Sequence, residues 1–218
     1  GSGVAFAHRR LAVLDLSPEG HQPMISARGR YVIAYNGEIY NFRALRRELQ
    51  QLGYPFRGRS DTEVLLAAIE TWGMEQALVR SVGMFAFALW DRRDRLLSLG
   101  RDRIGEKPLY YGWQGSSFLF GSELKALKRH ASWRGDIDRD ALTLYVRHNY
   151  IPAPYSIYRD VYKLLPGAGL QRPADARPGF VPEPRAYWKP EAAANADPAP
   201  EFAGSPAESV QALDELLR

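Results

Sequence analysis

The sequence predicts an α+β fold in which antiparallel sheet is covered by helices, and three observations carry that prediction. Stretches rich in β-branched and aromatic residues alternate with short turn signals from residue 4 to about 165. Two segments among them repeat apolar residues every three and four positions, which is the helical period. The strand-like segments between residues 84 and 122 are joined by turns too short for a helical crossover, so the order is not a βαβ series.

Each element follows from local chemistry. Residues 31–35 (Tyr-Val-Ile-Ala-Tyr) read as a strand, closed by Asn36-Gly37 as a tight hairpin turn. Asn41 then offers an N-cap to a helix carrying Phe42, Leu45, Leu49 and Leu52 on one face, and Gly53 ends it. Ser60-Asp61-Thr62-Glu63 has capping-box spacing ahead of Val64, Leu65, Ala68, Ile69 and Trp72, with Gly73 as the stop. A shorter helix is expected over 75–80. Residues 84–90 are apolar on both alternating faces, as suits a strand covered on both sides, and 91–94 turn the chain into a partner over 95–100. Residues 108–113 and 118–122 pair across Gln114-Gly115-Ser116.

Beyond Gly167 the pattern changes. Residues 171–206 are rich in proline and alanine without a sustained period, which reads as a linker or as extended chain lying on a surface. Ser205, with Glu208 three places on, opens a helix bearing Val210, Leu213, Leu216 and Leu217. The expected division is a domain over 1–170, a linker over 171–205, and the first helix of a further domain over 206–218.

Composition narrows the function. The 218 residues suffice for a real core, and 45% hydrophobic content suits a globular chain. No apolar run reaches the roughly 18 to 20 residues of a membrane span, and no signal-peptide order opens the chain, so a cytoplasmic protein with no membrane partner is expected. The net charge of +4 is spread beside acids, as in Arg92-Arg93-Asp94, rather than in a stripe, which argues against nucleic acid. Zero cysteines exclude disulfides, thiolate metal sites and a thiol nucleophile within these residues. His8, His21, His130 and His148 lack metal-ligand spacing, so no metal site is expected.

Taken singly, the polar residues have ordinary readings: Asn36-Gly37 a turn, Asp61 a helix-capping acid, Arg10 a surface cation, Glu38 a solvated carboxylate at a strand end. Arg101-Asp102-Arg103 reads as a turn stitched by exposed charges, or as a contact to another domain. Their company says more. His8-Arg9-Arg10-Leu11-Ala12-Val13-Leu14-Asp15, Gly20-His21-Gln22-Pro23-Met24, Tyr35-Asn36-Gly37-Glu38-Ile39-Tyr40-Asn41, Ser60-Asp61-Thr62-Glu63, Gly83-Met84-Phe85-Ala86-Phe87-Ala88, Arg101-Asp102-Arg103-Ile104-Gly105-Glu106-Lys107-Pro108-Leu109-Tyr110-Tyr111 and Ser122-Glu123-Leu124-Lys125 occur in one order. That order, over roughly residues 4–170, resembles the N-terminal half of glutamine-hydrolysing asparagine synthetases.

The resemblance implies an N-terminal-nucleophile fold, a four-layer αββα sandwich of two antiparallel sheets. It also implies that glutamine is bound and its side-chain amide hydrolysed, releasing ammonia for ATP-dependent amidation of aspartate. Such chemistry needs a nucleophile, an oxyanion hole and a clamp for an amino acid. By motif position Arg10 would fork onto the substrate α-carboxylate, Asp61 and Glu38 would meet the α-ammonium, and Leu11, Val13 and Leu14 would line the pocket. The Asn36 amide and the Gly37 N–H would form the oxyanion hole.

One departure stands out. The family's nucleophile is an N-terminal cysteine, and this sequence has none, so the chain as given is expected to be inactive in hydrolysis. Truncation of the start is one explanation. The other is a natural pseudo-domain acting as a non-catalytic scaffold, as in β-lactam synthetase-like proteins. No cofactor is expected within these residues; ATP and Mg²⁺ would belong to a C-terminal synthetase domain, the expected partner alongside glutamine or glutamate. Homodimer formation is left open.

Overall fold

The computed structural model describes residues 3–9, 14–196, 202 and 204–217, and within residues 1–188 it is an α+β sandwich. Among the described residues nine strands form two sheets. One has the order β1-β2-β3-β4-β8-β9 and the other β6-β5-β7, every neighbour antiparallel. The central strands are β2 (Tyr31–Ile39), β3 (Gly83–Asp91) and β4 (Leu96–Arg101); β1 is the short edge Met24–Ile25. The smaller sheet comprises β5 (Tyr110–Gln114), β6 (Ser117–Gly121) and β7 (Val161–Lys163).

The period-two alternation of β3 explains the layering. Phe85, Phe87 and Leu89 enter one core with Ile33, Tyr35 and Ile39 of β2, covered by helices α1 (Phe42–Gln51), α2 (Asp61–Trp72) and α3 (Met74–Arg80). Ala86, Ala88 and Trp90 enter a second core with Leu99, Tyr111 and Leu164, where the two sheets face each other. The small alanines leave room for Phe118, Phe120 and Tyr162 from the second sheet, and Phe6 stacks edge-on against Phe120 with centroids 5.5 Å apart. Beyond β6 come α4 (Leu124–Leu127) and α5 (Arg139–His148).

The helices start as their sequences foretell, with one refinement each. Asn41 precedes α1, but its side chain donates to Arg80 O at 2.9 Å and accepts from Val82 N at 3.0 Å, tying α1 to the α3–β3 connection instead of capping. Ser60 Oγ accepts from Glu63 N at 3.2 Å, one half of the capping box. The other half is diverted, because the Glu63 carboxylate accepts from Arg57 N and Gly58 N of the preceding loop.

Two expectations need correction. Asn36-Gly37 is no turn: β2 runs through it, with Asn36 opposite Ala86 and Gly37 opposite Phe85. Glycine is needed there for close approach, since a Cβ would sit 2.6 Å from Phe85 Cα and nearer still to Met84 O. The division at 170 also falls inside a strand. β8 (Ala168–Pro173) pairs with β4, and β9 (Arg185–Ala186) pairs with β8, so extended chain on the sheet edge describes this stretch better than a linker. Residues 189–218 form a separate unit containing α6 (Pro190–Ala196) and α7 (Pro206–Leu217). The apolar residues of α7 at 210, 213, 216 and 217 are all exposed.

Candidate active site

β2 supplies the donors. Its hydrogen-bonding groups alternate sides along with its side chains. Tyr35 N–H donates to Gln22 Oε1 at 2.7 Å, and Ile39 N–H donates to Asp61 Oδ2 at 3.0 Å. Gly37 lies midway and presents its N–H to that same side. Its opposite number Phe85 is turned away from it, donating to Asp102 Oδ2 and accepting from Asp102 N. β1 pairs only with Val32 and Ile33, so among the described residues no strand pairs with β2 beside Gly37 on that edge. Next to it, Asn36 Nδ2 donates to Ser122 Oγ at 3.2 Å, which occupies one of its two amide hydrogens; no described residue takes the other.

The acids converge from two elements. Asp61, at the start of α2, is buried at 5% exposure. Its Oδ2 accepts from the Tyr35 hydroxyl and Ile39 N–H, each at 3.0 Å, and its Oδ1 accepts from Thr62 N at 2.9 Å. A carboxylate has about four acceptor positions, so one is left for a ligand. Glu38, half-buried near the end of β2, makes no hydrogen bond or ion pair with any described residue. Burial holds the Tyr35 hydroxyl well above its ordinary pKa, and the charges of Asp61 and Glu38 add to the effect, so all three groups share one neighbourhood.

Arg10, Leu11 and Val13, expected to complete the clamp, lie outside the described residues. Leu14 is described, and with Asp15, Phe42, Arg43, Arg46 and Arg59 it lines a hollow of about 410 Å³. Three participants carried no sequence signal of their own: Gln22, which fixes Tyr35; Tyr35, which holds Asp61; and Ser122, which orients Asn36. Gln22 and Ser122 sit inside quoted sequence blocks, but nothing in their identity announces a partner on β2.

The charged triplet at 101–103 is also corrected. Asp102 is 0% exposed, and its carboxylate accepts from Phe85 N, Glu106 N and Lys107 N at 3.1, 2.9 and 3.0 Å. The half-buried Arg101 guanidinium donates to the carbonyls of Gly105, Lys107 and Leu164, and burial lowers its pKa. These charges are the internal frame of the 102–108 loop, held against the strand that backs Gly37.

Two N–H donors side by side, next to two acids, can receive a developing oxyanion at one point and an ammonium at another. The fold agrees with solved amidotransferases. Glutamine phosphoribosylpyrophosphate (PRPP) amidotransferase from B. subtilis, complexed with ADP and GMP, aligns with a TM-score of 0.58 at 21% identity, covering 83% of this chain and 34% of that one. A structure described as the allosteric regulatory enzyme of purine biosynthesis aligns with a TM-score of 0.55, covering 78% and 32%. Residues 1–188, the extent of the first compact unit, match the family described as Glutamine amidotransferase domain, and the chain belongs to that family.

Its curated relatives narrow the class. Asparagine synthetase [glutamine-hydrolyzing] 3 of Bacillus subtilis is 47% identical over 142 residues, 64% of this chain and 23% of that protein. A putative asparagine synthetase [glutamine-hydrolyzing] 2 of Methanocaldococcus jannaschii is 37% identical over 177 residues, 74% of this chain and 34% of that protein. The chain thus spans about 23% to 34% of the length of these relatives. Among the described residues, no helix is long and apolar enough to cross a membrane.

Proposed function

We propose that this chain is the glutaminase domain of an asparagine synthetase-like enzyme. It binds glutamine at the open edge of β2, and the ammonia released by hydrolysis serves ATP-dependent amidation of aspartate in a synthetase domain, the part to which ATP and Mg²⁺ belong. The observation that carries this reading is the Gly37 N–H facing a side where no strand of the described residues pairs with it, beside an Asn36 amide with one hydrogen unclaimed by any described residue and the two acids. A substrate amide carbonyl placed between the donors would have its oxyanion stabilised, while Glu38 and the remaining acceptor of Asp61 would take the α-ammonium. With no cysteine in the sequence, the chain as it stands would bind glutamine without hydrolysing it.

Titration calorimetry with glutamine and with glutamate tests this directly. Glu38→Gln is the informative variant, because Glu38 supports no other described group. A lost charge-assisted hydrogen bond is worth about 1.5–3 kcal/mol, so the dissociation constant should rise about 10- to 100-fold with the melting temperature unchanged. If neither amino acid produces heat, the domain is a scaffold without a substrate site.

A further inference from the structure

We infer that Asp15 is a positioning residue for the amino-acid site: it fixes the start of α2, and through it the carboxylate of Asp61. The inference rests on the glutamine-binding reading above and adds to it a residue that touches no substrate.

The loop ahead of α2 presents three successive backbone N–H groups, and carboxylates hold all three. Glu63, 9% exposed, accepts from Arg57 N at 2.7 Å and from Gly58 N at 2.9 Å. Asp15, 44 positions before Arg59, accepts from Arg59 N through Oδ2 at 2.6 Å. Gly58 lies between the two acids. A Cβ there would stand 2.6 Å from Asp15 Oδ2 and 3.5 Å from Glu63 Oε2, so a larger residue would displace Asp15. The next residue, Ser60, caps α2, and Asp61 is the first residue of the helix.

The two acids do different things. Glu63 belongs to α2, so its bonds fold the loop back onto its own helix. Asp15 arrives from a distant part of the chain and ties the loop to the segment that leads into β1. Its Oδ1 accepts from Ser17 N and Ser17 Oγ, so one carboxylate bridges two stretches of backbone. It does this at φ 57°, a left-handed conformation that few side chains other than asparagine and aspartate adopt.

The consequence for the site is geometric. Asp61 Oδ2 meets Ile39 N and the Tyr35 hydroxyl of β2, and its remaining acceptor must aim at the ligand. A charge-assisted hydrogen bond depends on distance and angle, and a displacement of about 0.5 Å is enough to degrade such a site. With Arg59 N released, the start of α2 loses its tie to the 14–17 segment, and the aim of Asp61 loosens while its bonds to β2 persist.

Calorimetry of the full chain with glutamine and with 4-carbamoylbutanoate, which is glutamine without its α-ammonium, tests this in Asp15→Asn. Asparagine tolerates the left-handed backbone but offers one acceptor oxygen where Ser17 and Arg59 need two. Arg59 is exposed and its N–H can turn to water, so the variant should fold and melt as the parent does. The glutamine dissociation constant should rise about three- to tenfold, the worth of an ordinary hydrogen bond, while that of the analogue stays unchanged. Gly58→Ala, which pushes Asp15 away from the other side, should act in the same direction. In the ligand-free protein, amide hydrogen exchange over residues 57–62 should quicken in both variants. The inference is overturned if Asp15→Asn leaves glutamine binding unchanged, or if exchange over 57–62 keeps the parent rate. It is equally overturned if both ligands weaken alike, as a general loosening of the fold would make them. Glutamine binding lost in Glu38→Gln but kept in Asp15→Asn refutes the role of Asp15 alone, whereas a parent that binds neither ligand removes the site itself and this inference with it.

Discussion

Asp61 joins fold and site, and its removal should be read through the groups it abandons. Asp61→Ala strips the acceptor from the Tyr35 hydroxyl and from Ile39 N–H, both in residues no more than 3% exposed. Leaving a buried donor unpaired costs about 1–3 kcal/mol, so the two together cost about 2–6 kcal/mol. A water entering the vacated space can restore one bond, which places the expectation in the lower part of that range, about 2–4 kcal/mol. For a chain of this size that is a fall in melting temperature of about 4–16 °C. The sharper test is a double-mutant cycle measured by denaturant unfolding. Tyr35→Phe alone should destabilise, because it deprives a buried carboxylate of a donor. In the Asp61→Ala background the same change should stabilise, because it removes an orphaned hydroxyl. If Tyr35→Phe costs the same in both backgrounds, the two groups are uncoupled and the buried hydrogen bond that positions Asp61 does not exist.

Two further predictions are independent of ligand. Gly37→Ala should unfold about 2–12 °C lower than the parent, since its Cβ meets backbone atoms of β3 that cannot yield as a side chain can, and overpacking typically costs about 1–3 kcal/mol. A melting temperature unchanged by the substitution would contradict the described register. Stability should also fall in alkali. Burial holds Tyr35, Tyr54, Tyr111 and Tyr187 protonated above the ordinary value of 10.0, Tyr111 up to about 12. Above pH 10 the unfolded chain loses these protons while the folded chain keeps them, so the folded state binds more protons and stability declines as pH rises from about 10 toward 12. Circular-dichroism melts across that window check it, and a flat profile would mean these phenols are not held protonated by burial.

Local signals carried far in the fold. The three-and-four spacing of Leu45 and Leu49 and the Ser60 cap placed α1 and α2 within a residue or two, and the two-sided apolar run at 84–90 marked β3 as the strand between two cores. Asn36-Gly37 failed for an instructive reason. The dipeptide favours a tight turn only when the following residues fold back, and here Glu38 and Ile39 continue the ladder against Met84 and Gly83. The glycine is required by the closeness of β3, a property of the partner strand that no short-range pattern contains. The strand β8 and the edge strand β9 beside it were hidden for a related reason: a two-residue bridge such as Arg185–Ala186 is too short to show a period, and proline-rich composition suits extended edge chain as well as it suits a linker.

The residues of the candidate site could be named from the sequence, but the contacts that hold them could not. Charged triplets such as Arg101-Asp102-Arg103 usually mean a solvated turn, since isolated surface ion pairs contribute little. Here the irregular loop that follows turns the N–H groups of Glu106 and Lys107 inward, and a carboxylate has enough acceptors to satisfy both together with Phe85 N–H of β3. Burying Asp102 is thus the price of an ordered loop. Because one of its three donors is Phe85 N–H, the same carboxylate helps to turn Phe85 away from Gly37. The outward donor at Gly37 follows from that choice: a strand whose opposite residue is committed elsewhere leaves its own N–H outward, and where no strand of the described residues pairs with it, the edge of β2 is the candidate place for a substrate carbonyl.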